Sequence, residues 1–282
     1  MTFRPRRSVL YMPGANARAL EKARTIACDA LILDLEDSVA PDAKAEARSQ
    51  VAAAVAARGF GSREVVVRIN GLDTPWGTDD MAMAVKAGPD AILVPKVSSA
   101  ADIGRAAAAM GSSATRLWVM VETPLAILNA REVAGAGALL ACLVLGTNDL
   151  VKETRMSPAD GRMALLPLLT TAVLAARAFG LDVIDGVYND FRDAEGFAAE
   201  CRQGRNLGMD GKTLIHPAQV ETCNAVFSPA PEEVAWSQKV IAAFAEPQNV
   251  AKGVITVDGR MVERLHLAIA ERVAAIAGAI AP

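Results

Sequence analysis

The chain has 282 residues, 52% hydrophobic and 22% charged, with a formal net charge of −3 and a pI near 5.6. That balance fits a globular enzyme of one large domain or two small ones, and speaks against a nucleic-acid or anionic-membrane partner. Only two histidines, His216 and His266, are present, which excludes a His-rich zinc site. Catalysis is therefore expected to rest on carboxylates, arginines, lysines or a bound metal, because no Gly-x-Ser-x-Gly, P-loop or Gly-x-Gly-x-x-Gly pattern occurs. Cys28, Cys142, Cys201 and Cys223 show no Cys-x-x-Cys spacing and read as reduced thiols of a reducing compartment. The longest uncharged apolar stretch, Val133–Gly146, is too short and too rich in glycine to cross a bilayer, and no signal-peptide pattern opens the chain. A cytoplasmic protein with no membrane partner is expected. Arg4, Arg6 and Arg7 read as a solvated basic terminus.

Along the chain, apolar strand patterns alternate with helical ones. Strands are expected at 8–12 (SVLYM), 30–35 (ALILDL), 64–69 (EVVVRI), 91–96 (AILVPK), 117–122 (LWVMVE), 142–146 (CLVLG), 182–186 (DVIDG) and 211–215 (GKTLI). Alanine-rich or amphipathic stretches follow them, among them Ala43–Ala57, Ala101–Met110, Gly161–Phe179 and Ala194–Asn206. Eight such units over roughly 225 residues match a (β/α)₈ TIM barrel. An open doubly wound sheet shows the same alternation, but the absence of a dinucleotide fingerprint favours the barrel. A further helix is expected over 228–246, entered through Pro231, and a linker then leads to a last helix, Met261–Ala279, with a stripe of apolar residues at 262, 265, 269, 273 and 276. The expected organisation is a barrel with its flanking helix over 1–246 and a C-terminal helical lid extension over 247–282.

In a barrel of this type the chemistry sits at the carboxyl ends of the strands. Read in order, those ends supply Asp34, Glu36 and Asp37, then Arg68 and Asn70, then Lys96, Glu122, Thr147 and Asp149, Asp185, and finally Lys212 and His216. Any one of them is as well explained as a helix cap or a solvated loop residue, but so many converging on one rim point to a site. Acids gathered without histidines favour an oxygen-liking cation, and Mg2+ accepts one or two carboxylates while keeping waters and room for substrate oxygens. Glu122 and Asp149, from adjacent strands, are the expected direct ligands. Asp34, Glu36 and Asp37 are expected to accept hydrogen bonds from waters around the metal.

The blocks RSVLYMPGANARALEKA, DALILDLEDSVAPDAKAEAR, VVRIN, VPKV, VMVETPLAILNA, LVLGTNDL and GMDGKTLIHPAQV, in this order, resemble the citrate lyase β-subunit-like CoA-ester lyases, which include malyl-CoA and citramalyl-CoA lyases. The resemblance implies a (β/α)₈ barrel, magnesium dependence and a trimeric or hexameric homo-oligomer. It implies Glu122 and Asp149 as metal ligands and Arg68 as the group that binds the carboxylate of a 2-oxo acid. The implied reaction is carbon–carbon cleavage of a 3-hydroxyacyl-CoA to acetyl-CoA and a 2-oxo acid, with CoA thioester and oxo acid as the small-molecule partners. Asn70 and Glu122 are expected beside the substrate, and Lys22, after the loop that follows strand one, beside the CoA phosphates. Stand-alone members carry a C-terminal aspartate as acid; here Glu263 stands at the matching place, on the segment expected to form the lid. Two other readings fit the same residues: hydrolysis of a malyl-CoA-type thioester, and a subunit that works only with a carrier partner or is catalytically silent.

Overall fold

The computed structural model describes residues 4–280. The chain divides into two compact units, Arg6–Asn224 and Ala225–Pro282 with Met1–Pro5. In the first unit eight strands form a closed barrel in sequential order: β1 (Ser8–Pro13), β2 (Ala30–Asp34), β3 (Glu64–Arg68), β4 (Ala91–Val94), β5 (Arg116–Val121), β6 (Leu140–Leu145), β7 (Asp182–Asp185) and β8 (Gly211–Leu214). Every neighbour pair is parallel, and β8 closes onto β1 with Val9 opposite Thr213. The expected (β/α)₈ TIM barrel is the observed fold.

Strand side chains alternate between two faces. One set, including Val9, Ile32, Val66, Leu93, Trp118, Met120, Val144 and Ile184, fills the barrel interior. Continued to the strand ends, the same phase brings Asp34, Arg68 and Glu122 to the mouth. At the opposite end Arg6 lies over the Trp118 ring at 4.9 Å and pairs with Glu64 at 2.7 Å and Asp182 at 2.5 Å. Arg7 pairs with Asp29 at 2.7 Å. Arg6 and Arg7 are thus not a solvated terminus; the carboxylates of neighbouring strands draw them into the base of the barrel. The four cysteines, Cys28, Cys142, Cys201 and Cys223, are all free and buried.

Asp185 and Lys212 have the opposite phase. Asp185 accepts from Arg162 through both oxygens, at 2.7 and 2.8 Å, and Lys212 reaches Asp185 at 3.1 Å and Glu200 at 2.6 Å. They belong to a buried network between the strands and the helix Ala194–Leu207, not to the rim expected for them. The reason is one step of register: Ile184 and Thr213 point inward, so their neighbours point out. Burial opposes the Asp185 charge, but Lys212 and Arg162 outweigh it and hold the carboxyl below its usual range. Its stabilising contribution is therefore present at neutral pH and is lost as pH falls through that depressed pKa. Asp185→Ala leaves two buried cations facing Glu200 alone and is expected to cost about 3–5 kcal/mol, read as a lower denaturant midpoint with an unchanged near-neutral circular dichroism spectrum.

Among the described residues one stretch, Ala159–Ala178, has the length and apolarity of a membrane span. Its path breaks at Asp160, Gly161 and Arg162, where φ is positive, and the following helix Leu166–Ala178 buries Leu169, Ala172 and Ala176 against the barrel.

In the second unit the helix Pro231–Ala245 packs on the helix Arg264–Ile280, and between them lies an antiparallel hairpin of β9 (Val254–Val257) and β10 (Arg260–Glu263). Val240, Phe244, Ile255, Val257, Val262 and Ala270 form its core. This departs from the sequence reading in two ways. The helix over 228–246 joins the C-terminal segment rather than the barrel, because Val240 and Phe244 find their apolar partners there. The last helix begins at Arg264, since Asp258 and Gly259, with φ of 47° and 76°, make a two-residue turn that returns the chain as a strand.

Candidate active site

The mouth of the barrel holds a cavity of about 310 Å³, walled by Tyr11, Asp34, Arg68, Met120, Thr147 and Asp149, among others. Asp34 and Arg68 face each other across the β2–β3 register. The guanidinium Nε and Nη2 donate to the two Asp34 oxygens at 2.6 and 2.7 Å, and the ring of Tyr11 lies 4.8 Å from the guanidinium carbon. Asp34 also accepts from the N–H groups of Glu36 and Ser38, at 2.9 and 3.1 Å. Its carboxylate is fully engaged in fixing Arg68 and the turn after β2. Burial alone would raise the Asp34 pKa, but Arg68 and these N–H groups hold it below the ordinary range.

The remaining guanidinium nitrogen, Nη1, points away from Asp34. Glu36 Oε2 lies 2.8 Å from it and Asp37 Oδ2 3.5 Å. Glu36 is pushed up to about 8 by burial, with Asp37, Glu122 and Asp34 adding to the rise against the opposing pull of Arg68. Three acids, all at or just after the end of β2, therefore cluster around one arginine.

On the other side of the mouth, Glu122 follows β5 and is wholly buried. Its Oε1 accepts the Lys96 backbone N–H at 2.7 Å, while its Oε2 is a buried oxygen with no hydrogen-bond partner. Burial raises the Glu122 pKa, opposed by Lys96. Gly146 after β6 leaves room for this side chain: a Cβ there would stand 2.4 Å from that of Glu122. Asp149 lies in the first turn of the helix Thr147–Thr154, where a negative charge is favoured.

Glu122 and Asp149 converge on one point. The ammonium of Lys96 lies 2.6 Å from Asp149 Oδ1 and 3.5 Å from Glu122 Oε1. Lys96 has φ of 55°, a left-handed conformation that costs a non-glycine residue about 1–2 kcal/mol. That turn, two residues past the end of β4, swings its N–H toward Glu122 and its side chain toward Asp149. An all-oxygen pair facing a single cation, with one buried oxygen unsatisfied, suits a magnesium ion that completes its shell with water and substrate oxygens. Among the described residues no group of three or more His, Cys, Asp or Glu side chains is gathered to hold a metal unaided.

Asn70, Lys22 and His216, also expected at the site, lie in the barrel unit but do not wall this cavity. Asn70 is buried, its amide donating to Leu35 O at 2.8 Å and to Asp80 at 2.5 Å, so it braces the loops after β2 and β3. Lys22 is exposed at the last position of the helix Ala17–Lys22, the far end from the loop whose Asn16 caps that helix. His216 caps the turn at Pro217 and stacks on Phe191, with ring centroids 4.5 Å apart. Glu263 ends β10 in the second unit, its N–H donating to His266 Nδ1 at 2.9 Å. Tyr11, Met120 and Thr213, which the sequence reading passed over, face the cavity because they share the inward phase of their strands.

A closed parallel barrel with an arginine and two convergent carboxylates at the carboxyl ends of its strands defines a TIM-barrel protein whose candidate site lies where such barrels carry theirs. The family profile "HpcH/HpaI aldolase/citrate lyase" matches residues 7–217, and the chain belongs to that family. It is 50% identical over 277 residues to a (3S)-malyl-CoA thioesterase of Cereibacter sphaeroides (strain KD131), covering 98% of this chain and 96% of the relative. To the citrate lyase subunit beta of Escherichia coli (strain K12) it is 35% identical, covering 92% and 89%. The structure of the Mycobacterium tuberculosis protein CitE in complex with magnesium, acetoacetate and coenzyme A superposes with a TM-score of 0.79 at 29% identity, covering 99% of this chain and 100% of that one.

Proposed function

We propose that the chain is a magnesium-dependent hydrolase of malyl-type 3-hydroxyacyl-CoA thioesters. The observation that carries this is the convergence of Glu122 and Asp149 on one cation position across a cavity from the Arg68 fork. The 50% identity to a (3S)-malyl-CoA thioesterase supports the choice of thioester and of hydrolysis. Glu122 and Asp149 would hold the magnesium, which supplies Lewis-acid polarisation and a fixed point for substrate oxygens. Arg68, held flat by Asp34 and Tyr11, would bind the substrate's terminal carboxylate through Nη1. Glu36, with its pKa near 8, is suited to hold or accept a proton beside that carboxylate.

A second reading, carbon–carbon cleavage to acetyl-CoA and a 2-oxo acid, is favoured by the 35% identity to a citrate lyase subunit beta. In that reaction the thioester enolate left by cleavage of the carbon–carbon bond must be protonated at carbon, and Glu263 is the proposed donor. The two reactions differ in products. Malyl-CoA incubated with the pure protein and Mg2+ is expected to give malate and free CoA. Formation of glyoxylate with acetyl-CoA, and no free thiol, overturns hydrolysis and establishes the lyase.

A further inference from the structure

We propose that Lys96 is a resident counter-cation of the metal site: its ammonium neutralises Glu122 and Asp149 until a divalent ion displaces it, and it thereby sets how readily the metal enters. The inference rests on the reading that these two carboxylates are the metal ligands. Three observations carry it. The ammonium lies within 2.6 Å of Asp149 and 3.5 Å of Glu122, at the point where the carboxylates converge. The backbone of Lys96 is fixed there by a left-handed turn and by its N–H bond to Glu122, so the peptide stays when the side chain moves. The side chain is 38% exposed, which gives its flexible four-carbon stem a path outward.

The ammonium is also an incomplete substitute. It leaves Glu122 Oε2 buried without a hydrogen-bond partner. A doubly charged ion reaching both oxygens would satisfy that atom, and this difference drives the exchange. Until then the lysine offsets the repulsion between two neighbouring carboxylates, one of them wholly buried. A site left open by the ammonium a tenth of the time binds metal about tenfold more weakly than the bare site.

The test is binding of Mn2+ alone, without substrate, at one fixed pH, followed by calorimetry and by the loss of the free-ion electron paramagnetic resonance signal. Lys96→Met removes the charge and keeps the length of the stem. It is expected to bind Mn2+ about tenfold more tightly than the wild type. Without metal its melting temperature should fall, and Mn2+ should raise it by more than in the wild type. Lys96→Arg keeps the charge and should show no such gain. Lys96→Gln repeats the measurement if the methionine variant does not fold. Wild-type binding with equal or weaker binding in the neutral variants overturns the role of Lys96 and leaves the metal assignment standing. No Mn2+ binding by any of the proteins overturns both.

Discussion

Asp149→Asn is expected to abolish turnover and to weaken Mn2+ binding by more than about 100-fold, while the far-ultraviolet circular dichroism stays that of the wild type. Loss of a group that merely orients a ligand costs about 10–100-fold, and Asp149 is assigned as a ligand itself. Asparagine is nearly isosteric and occupies the first helical turn without strain, so the barrel should not notice the change. The charge is what disappears: Glu122 would be left as the one carboxylate at the cation position, and Lys96 would lose its partner at 2.6 Å. Calorimetry with Mn2+ checks the expectation. Wild-type affinity in this variant would remove Asp149 from the metal site.

Arg68→Lys keeps the charge and loses the fork, and is expected to lower kcat/KM by about 10²–10³-fold, the loss typical of one preorganised charge-stabilising donor. The geometry explains why charge alone is insufficient. Two guanidinium nitrogens are spent on Asp34, and the third, which lies 2.8 Å from Glu36 Oε2, is the one proposed to meet the substrate. A lysine ammonium reaching Asp34 has no second, fixed nitrogen to offer in the cavity. Steady-state kinetics on malyl-CoA, with Mn2+ affinity as the control, separates this from damage to the metal site. Near-normal kinetics in Arg68→Lys would show that the carboxylate is bound elsewhere.

Much of the barrel is legible in the sequence because hydrophobic burial is periodic. All eight strand patterns fall on observed strands, and Arg68, Glu122 and Asp149 stand where the strand ends place them. What the linear pattern blurs is phase. Asp185 ends its strand just as Asp34 and Arg68 end theirs, and Lys212 lies two residues short of the end of its own, yet a single residue of alternation sends both to the helix layer. Counting inward from Ile184 and Thr213 separates the two cases. The hairpin of the C-terminal unit had a sequence signal as well, an Asp-Gly pair between Val254–Val257 and Met261–Val262, which the apolar spacing of the following helix obscured. The pairing of Arg68 with Asp34 is a different matter. It depends on strand register across 34 residues, and no local pattern encodes it.

The distribution of the cysteines gives the molecule its own reporter. All four sulfhydryls lie within Arg6–Asn224, and each is shielded. Burial lifts the Cys28 thiol to about 11 and those of Cys142 and Cys223 above their ordinary value, so reactive thiolate forms there only when the barrel opens. The C-terminal unit, which carries none, stays silent to the same chemistry. The rate at which an alkylating reagent modifies the native protein is therefore a clock for breathing of the barrel alone, and binding that closes the barrel mouth would slow it with no label introduced by hand.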